Sequence, residues 1–319
     1  MNAPKMTDLE YITFLVAAPH VVSCTEAARV QPDAPRRAAH DAVNRLLQRL
    51  KPDTAPMWQE AELLVDRTRG LLVIDDTTLD KPYARKIALV HRQWSGKHHR
   101  IVAGINLVTL VWSDDTHAVP CDYRLYDAPN DGDTKNDHFR AMLKTAQKRG
   151  FTPRYVCFDG WYSSLENLKL IRTLGWQWLT RLKHNRLVNP DGSGNRPLAE
   201  CAIREAGTRV HLKGYGFILV FRIDTPDGDT EYWASSDELM TMAGARPPRA
   251  RFGRLRPIIV TSSSFVASKA VPCVRNGRNE TISAGLCARI FGSFGTKWKP
   301  GIPVLPPNWR SFARLSSNS

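Results

Sequence analysis

An α/β layer fold is predicted for the middle of this 319-residue chain, on three observations. Short β-branched runs alternate with helix-periodic segments between residues 66 and 185. Two of those runs, LLVIDD and RYVCFD, end abruptly in aspartate. The helical segments between them carry their own start and stop residues.

In chain order, LLVIDD is a buried-strand run, HRIVAGINLVTLVW a long strand, and AVPCDYRLYD a third. NDHFRAMLKTAQKRG is a helix with Phe139, Met142, Leu143 and Ala146 on one face and Gly150 at its end. RYVCFD is the next strand. SSLENLKLIRTLG is a helix with Ser163 and Glu166 as a capping box and Gly175 as its stop. WQWLTRLK is a further strand, giving the order βββ-α-β-α-β.

Residues 1–65 read as helical, with Ala39, Val43, Leu46 and Leu50 on one face. Two short helices split by Pro32 and Pro35, with Arg36, Arg37, Arg45 and Arg49 nearby, suit a helix-turn-helix DNA module. A helical cap packed on the next domain suits the same pattern. Residues 186–240 turn β-rich, with GFILVFRI and TEYWAS flanking a Thr225–Asp229 hairpin turn. They read as an insertion on the α/β core. Residues 241–319 hold ten serines and little periodicity, and are set apart as an aberrant tail.

The net charge of +14 invites a nucleic-acid reading, but residues 241–319 carry 13 Lys+Arg against the single acid Glu280. Nearly all the excess lies there. No apolar run nears the ~18 residues of a membrane span, and MNAPKMTDLEY lacks a secretory pattern. The expected location is the bacterial cytoplasm, without membrane association. Six scattered cysteines without a C-x-x-C pair read as reduced thiols.

The candidate chemistry lies at strand ends. Asp75 and Asp76 close one buried strand, and Asp159 closes another just before a helix. Ends of strands in α/β sheets are where sites are built. A carboxylate there needs a metal or a partner to offset its desolvation. Two on neighbouring strands suit Mg²⁺, which prefers oxygen ligands, and metal pairs of this kind serve phosphodiester chemistry. Capping of the next turn is the alternative for each. Asp122 and Asp127 read as turn residues. His91, His98 and His99 in HRQWSGKHHR read as a basic surface loop.

Taken together, LLVIDDTTLDKPYARKIALVHRQWSGKHHRIVAGINLVTLVW, PCDYRLYDAPNDGDTKNDHFRAMLKTAQKRGF and YVCFDGWYSSLENLKLIRTLGWQWLTRLKHNRLVNP resemble the DDE transposases of bacterial insertion sequences, DDE-superfamily endonucleases with an RNase H-like core. The resemblance extends over residues 8 to about 240. It implies an RNase H-like mixed sheet with flanking helices, a β-rich insertion before the third acid, and a two-metal site for Mg²⁺ (or Mn²⁺). Asp76 stands as the first catalytic and metal-binding acid, ahead of Asp75, and Asp159 as the second. Gly160 stands where a serine is common. The implied partners are terminal inverted repeats, target DNA and a second copy in a homodimer. Lys81, Arg85, Lys86, Lys97, Arg100, Arg181 and Lys183 are then candidate phosphate contacts, each with surface charge as its alternative.

The same resemblance calls for a third acid, a helical Glu in a pattern like W-x-I-E-x-Y-H-R-x-x-K, with Glu and Lys two helical turns apart. The pattern is absent: after Glu238 the only acid is Glu280. A one-base slip between about residues 240 and 253 accounts for this. Read one base out of step, the codons of RPIIVTSSSF permit Y-H-R-H-I-K-Q-F. Leu255–Arg256 permits the Glu, and Phe252–Gly253 the Trp. The expectation is a frameshifted C-terminus, poorly ordered, with no third acid and no transposition. A second expectation is a DNA-binding or dimerising remnant that inhibits intact transposases.

Overall fold

The computed structural model describes residues 5–17, 23–31, 37–49, 54–84, 89–95, 98–114, 117–225 and 228–240. The tail from 241 onward, with the whole frameshift reading, lies outside the described residues, as do Arg85, Lys86 and Lys97.

Four helices come first: α1 (Asp8–Ala17), α2 (Cys24–Arg29), α3 (His40–Arg49) and α4 (Ala55–Ala61). Ser23 caps α2 by accepting from the Glu26 amide. The Gln31 side-chain amide then closes the link between α2 and α3, donating to the Ala38 carbonyl at 2.6 Å and accepting from its amide at 2.7 Å. The buried face of α3 is Ala42, Val43, Leu46 and Leu47. Ala39 precedes the helix and is exposed, one position off the expected face, and Leu50 lies outside the described residues.

The core strands are β1 (Leu71–Asp80), β2 (His91–Ser95), β3 (Arg100–Ser113), β4 (Ala118–Tyr126), β5 (Tyr155–Phe158) and β6 (Trp178–Leu182), with α5 (Lys135–Lys148) and α6 (Leu165–Thr173) as crossovers. β7 (Leu187–Asn189), β8 (Arg196–Pro197), β9 (Thr208–Leu212), β10 (Gly216–Asp224) and β11 (Thr230–Ser235) follow. Among the described residues these form one mixed sheet, ordered β2-β3-β1-β5-β6-β11-β10-β9-β7-β8, with β4 also on β3. β1, β5 and β6 are mutually parallel, while β3 and β11 run antiparallel to their neighbours. The strands of 186–240 therefore continue the core sheet through the β6–β11 pairing.

Four strands, not three, precede α5. HRQWS is β2, paired in register with the first half of β3 from His91–Gly104 to Ser95–Arg100. Its polar composition hid it, because only one edge of β2 is paired and its outer residues meet solvent. The His91 imidazole bonds Asp127 Oδ1 at 2.7 Å, and His98 bonds Asp80 Oδ2 at 2.6 Å. Both rings are thus committed to acids. Asp127 is the turn residue expected, with Asn130 and Asp131 amides on its carbonyl. Asp122 is not: it sits buried within β4, paired to Arg124 at 3.1 Å, and burial pushes its carboxyl above the usual range.

Strand alternation sorts β1 into two faces. Leu72 and Ile74 join Val156, Phe158, Phe139, Met142, Leu168 and Ile171 in the main core beneath α5 and α6. Val73 joins Cys157 and Leu179 in a smaller cluster on the other face. Thr134 and Asp137 form a complete capping box at α5. For α6 the cap is Ser164, accepting from the Asn167 amide, not the Ser163–Glu166 pair. A short 3-10 turn after β5 uses Ser163 and shifts the helix start by one residue. Cys121, Cys157 and Cys201 are buried free thiols.

Candidate functional site

The last register pair between the parallel strands β1 and β5 is Ile74 with Phe158. Asp75 and Asp76 follow within β1, which does not close there as expected but runs on to Asp80 because β3 keeps pairing it (Asp75–Thr109, Asp76–Val108), whereas Asp159 directly follows the end of β5. By alternation Asp76 shares the α5/α6 face with Ile74, and Asp75 points to the opposite face.

Asp76 is partly buried and doubly held. Its Oδ2 accepts from Lys135 Nζ at 2.8 Å, and its Oδ1 from the Tyr162 hydroxyl at 3.1 Å. Lys135 is the first residue of α5, placed there by the capping box. Tyr162 is buried and stacks on Phe139, with ring centroids 5.2 Å apart. Burial above all raises its phenol, and Asp76, Asp75 and Asp159 all push the same way. That hydroxyl therefore sits in the field of all three acids and keeps its proton. Asp75 Oδ1 accepts the Asp76 amide at 2.9 Å.

Asp159 is exposed. Its Oδ1 accepts from the Trp161 amide at 2.6 Å, capping the turn Gly160–Tyr162. The capping reading of this residue holds in its geometry. Gly160 is fixed by space: an added Cβ would lie 2.8 Å from the Arg181 carbonyl oxygen on β6. Gly160→Ser should therefore cost about 1–3 kcal/mol of stability, read as a lower urea midpoint. An unchanged midpoint would mean that β6 yields freely at this point.

Behind these residues, Asn167 ties the two helices together. Its Nδ2 donates to Asn136 Oδ1 at 2.7 Å and the Tyr162 carbonyl at 2.9 Å, and its Oδ1 accepts from Arg140 at 3.1 Å. Lys135, Tyr162 and this network were missed in the sequence. Tyr162 stands three residues past Asp159, a spacing that offers a faint signal; Lys135 offers none.

The cations divide. Arg181 is paired with Glu231 at 2.9 Å. Lys183 lies over the Trp161 ring, 5.9 Å from its centroid. Arg100 is exposed at the start of β3, and the Lys81 amide donates to the Ala103 carbonyl at 2.8 Å. Lys183 thus lies beside the turn that follows Asp159.

A family model described as DDE superfamily endonuclease matches residues 9–201. The chain belongs to that family. Among solved structures, this DDE endonuclease is similar to one titled "Cryo-EM structure of piggyBac transposase synaptic complex with hairpin DNA (SNHP)", with TM-score 0.54 and 10% identity, covering 100% of this chain and 75% of that one. It also matches "Crystal structure of the Mos1 Strand Transfer Complex" at TM-score 0.22 and 12% identity, over 56% of this chain and 58% of that one. The first likeness shows a shared fold, a mixed α/β sheet with flanking helices. No curated protein matches the chain.

Divalent metal use is general in the DDE superfamily. The donors here fit such an ion in kind, being carboxylate oxygens. No group of three or more His, Cys, Asp and Glu able to hold a metal occurs among the described residues. An ammonium already neutralises Asp76. No helix among the described residues is long and apolar enough to cross a membrane.

Proposed function

We propose that this chain derives from an insertion-sequence transposase and binds DNA without cutting it. Asp76 and Asp159 are the first two acids of its phosphodiester site, for which Mg²⁺ (or Mn²⁺) is the intended cofactor. The third, a glutamate, is lost to the slipped reading frame. The observation that carries this reading is that Asp76 and Asp159 lie just past the last β1–β5 pair, Ile74 with Phe158, two residues on in β1 and one residue on after β5.

In this reading residues 1–65 form the DNA-binding helical region, 66–185 the catalytic core and 186–240 the inserted strands. The partners are terminal inverted repeats, target DNA and a second copy of the chain. The solved relatives named for a synaptic complex with hairpin DNA and for strand transfer agree with DNA as partner. Lys81, Arg85, Lys86, Lys97, Arg100 and Lys183 are phosphate contacts, with Arg181 shared between Glu231 and the backbone of DNA. By binding ends without cutting, the chain inhibits intact copies.

The test is a gel shift with the terminal repeats flanking the coding sequence, beside an Mg²⁺ cleavage assay on the same DNA. Binding that weakens steeply with salt, and no cleavage, is expected. Failure to bind would overturn the DNA reading, and cleavage would overturn the deficiency.

A further inference from the structure

A cavity of about 620 Å³ opens beside Asp159, between the 3-10 turn after β5, the chain leaving β6 and the β9–β10 turn. Its wall includes Gly160, Trp161, Ser164, Lys183, Arg186 and Lys213, and no acid. The volume suits a nucleotide-sized ligand.

Three features point to an anion with an aromatic face. First, Arg186 is partly buried, and burial alone lowers its guanidinium, with no acid opposing the shift. A desolvated cation of this kind gains from an incoming phosphate. Second, Lys183 and Lys213 flank the same space without an ion pair among the described residues. Third, Trp161 is 60% exposed, an unusual position for so large an apolar ring, and its amide is held by Asp159. Its ring lines the cavity, with Lys183 Nζ 5.9 Å from its centroid.

We infer that this cleft holds one unpaired nucleotide of a DNA strand, its base stacked on Trp161 and its phosphates on Lys183, Arg186 and Lys213. The inference rests on the DNA reading above and adds a structural preference: frayed or overhanging ends over blunt duplex. Stacking on an exposed ring is insensitive to base identity, so the preference is for strandedness, not sequence.

The test uses the full chain and two fluorescein-labelled hairpin duplexes, one blunt and one carrying a four-thymidine overhang, followed by anisotropy. The wild-type chain should bind the overhang roughly tenfold more tightly, the scale of one stacked base. Trp161→Ala should abolish that preference and leave blunt-duplex affinity in place, while Trp161→Phe keeps most of it. In Lys183→Ala/Lys213→Ala, the salt slope for the overhang DNA should fall by about 1.4, near 0.7 per lost contact on single strands. An equal preference in Trp161→Ala overturns the cleft. So does wild-type binding of blunt duplex with no preference, which leaves the DNA reading intact. Displacement of the overhang by millimolar ATP would instead mark a free-nucleotide site and overturn the inference. No binding of either DNA would overturn both readings.

Discussion

Rebuilding the gene with one base restored near codon 240 should yield a chain that nicks its own terminal repeats in Mg²⁺, at least about 10³-fold faster than the 319-residue form. The estimate comes from the electrostatics of the site. A missing carboxylate leaves one metal poorly held, and metal stabilisation of a phosphoryl transition state is worth several kcal/mol. Each 1.36 kcal/mol is tenfold in rate. The rebuilt chain would supply the third oxygen donor, and a cation held by the three acids would compete with Lys135, which lies 2.8 Å from Asp76. Asp76→Ala or Asp159→Ala in the rebuilt chain should return cleavage to the level of the present one. Retained cleavage in Asp76→Ala would transfer the role to Asp75, its neighbour in β1 on the opposite face of the sheet. End-labelled DNA on a denaturing gel reads all of these outcomes.

Trp178→Ala should be the most damaging single change to the fold, at about 3–5 kcal/mol. Trp178 is fully buried in β6, the strand that joins β5 on one side to β11 on the other. Its indole Nε1 donates to the Tyr215 hydroxyl at 2.9 Å, and the two rings meet edge to face 5.7 Å apart. Its backbone amide donates to Ser236 Oγ at 3.0 Å and its carbonyl accepts from Ser235 Oγ at 2.9 Å, bonds that the substitution leaves in place. Truncation thus opens a cavity and strands a buried hydroxyl where the core sheet meets its extension. Against a usual total of about 5–15 kcal/mol, the loss leaves little. Urea unfolding should show a lower midpoint with an unchanged slope. A changed slope would mean that the sheet extension unfolds separately from the core.

Much of the frame was readable because its segments are locally consistent. The helix at Lys135–Lys148 buries the four residues its periodicity names, and Gly150 follows it at φ 80°. The apolar runs before Asp75 and Asp159 have one outcome, parallel neighbours in the middle of a sheet, although β1 runs on past its acids to Asp80 through its pairing with β3. What stayed hidden was decided by tertiary partners. HRQWS becomes a strand only because β3 is long enough to pair β1 on one edge and both β2 and β4 on the other. Asp122 enters the interior because Arg124 meets it there. Lys135 reaches Asp76 across 59 residues of chain, a contact no local pattern encodes. The continuity of residues 186–240 with the core sheet is likewise a property of the β6–β11 edge and not of either strand alone.

The reading of the acids turns on the displaced glutamate, and the nucleotide sequence across codons 240–256 tests it most directly. A one-base insertion or deletion is expected there, with the downstream frame spelling Trp, then Glu, then Y-H-R-H-I-K at the residues now read as RPIIVTSSS. Codons that spell no such words in either alternative frame would contradict it.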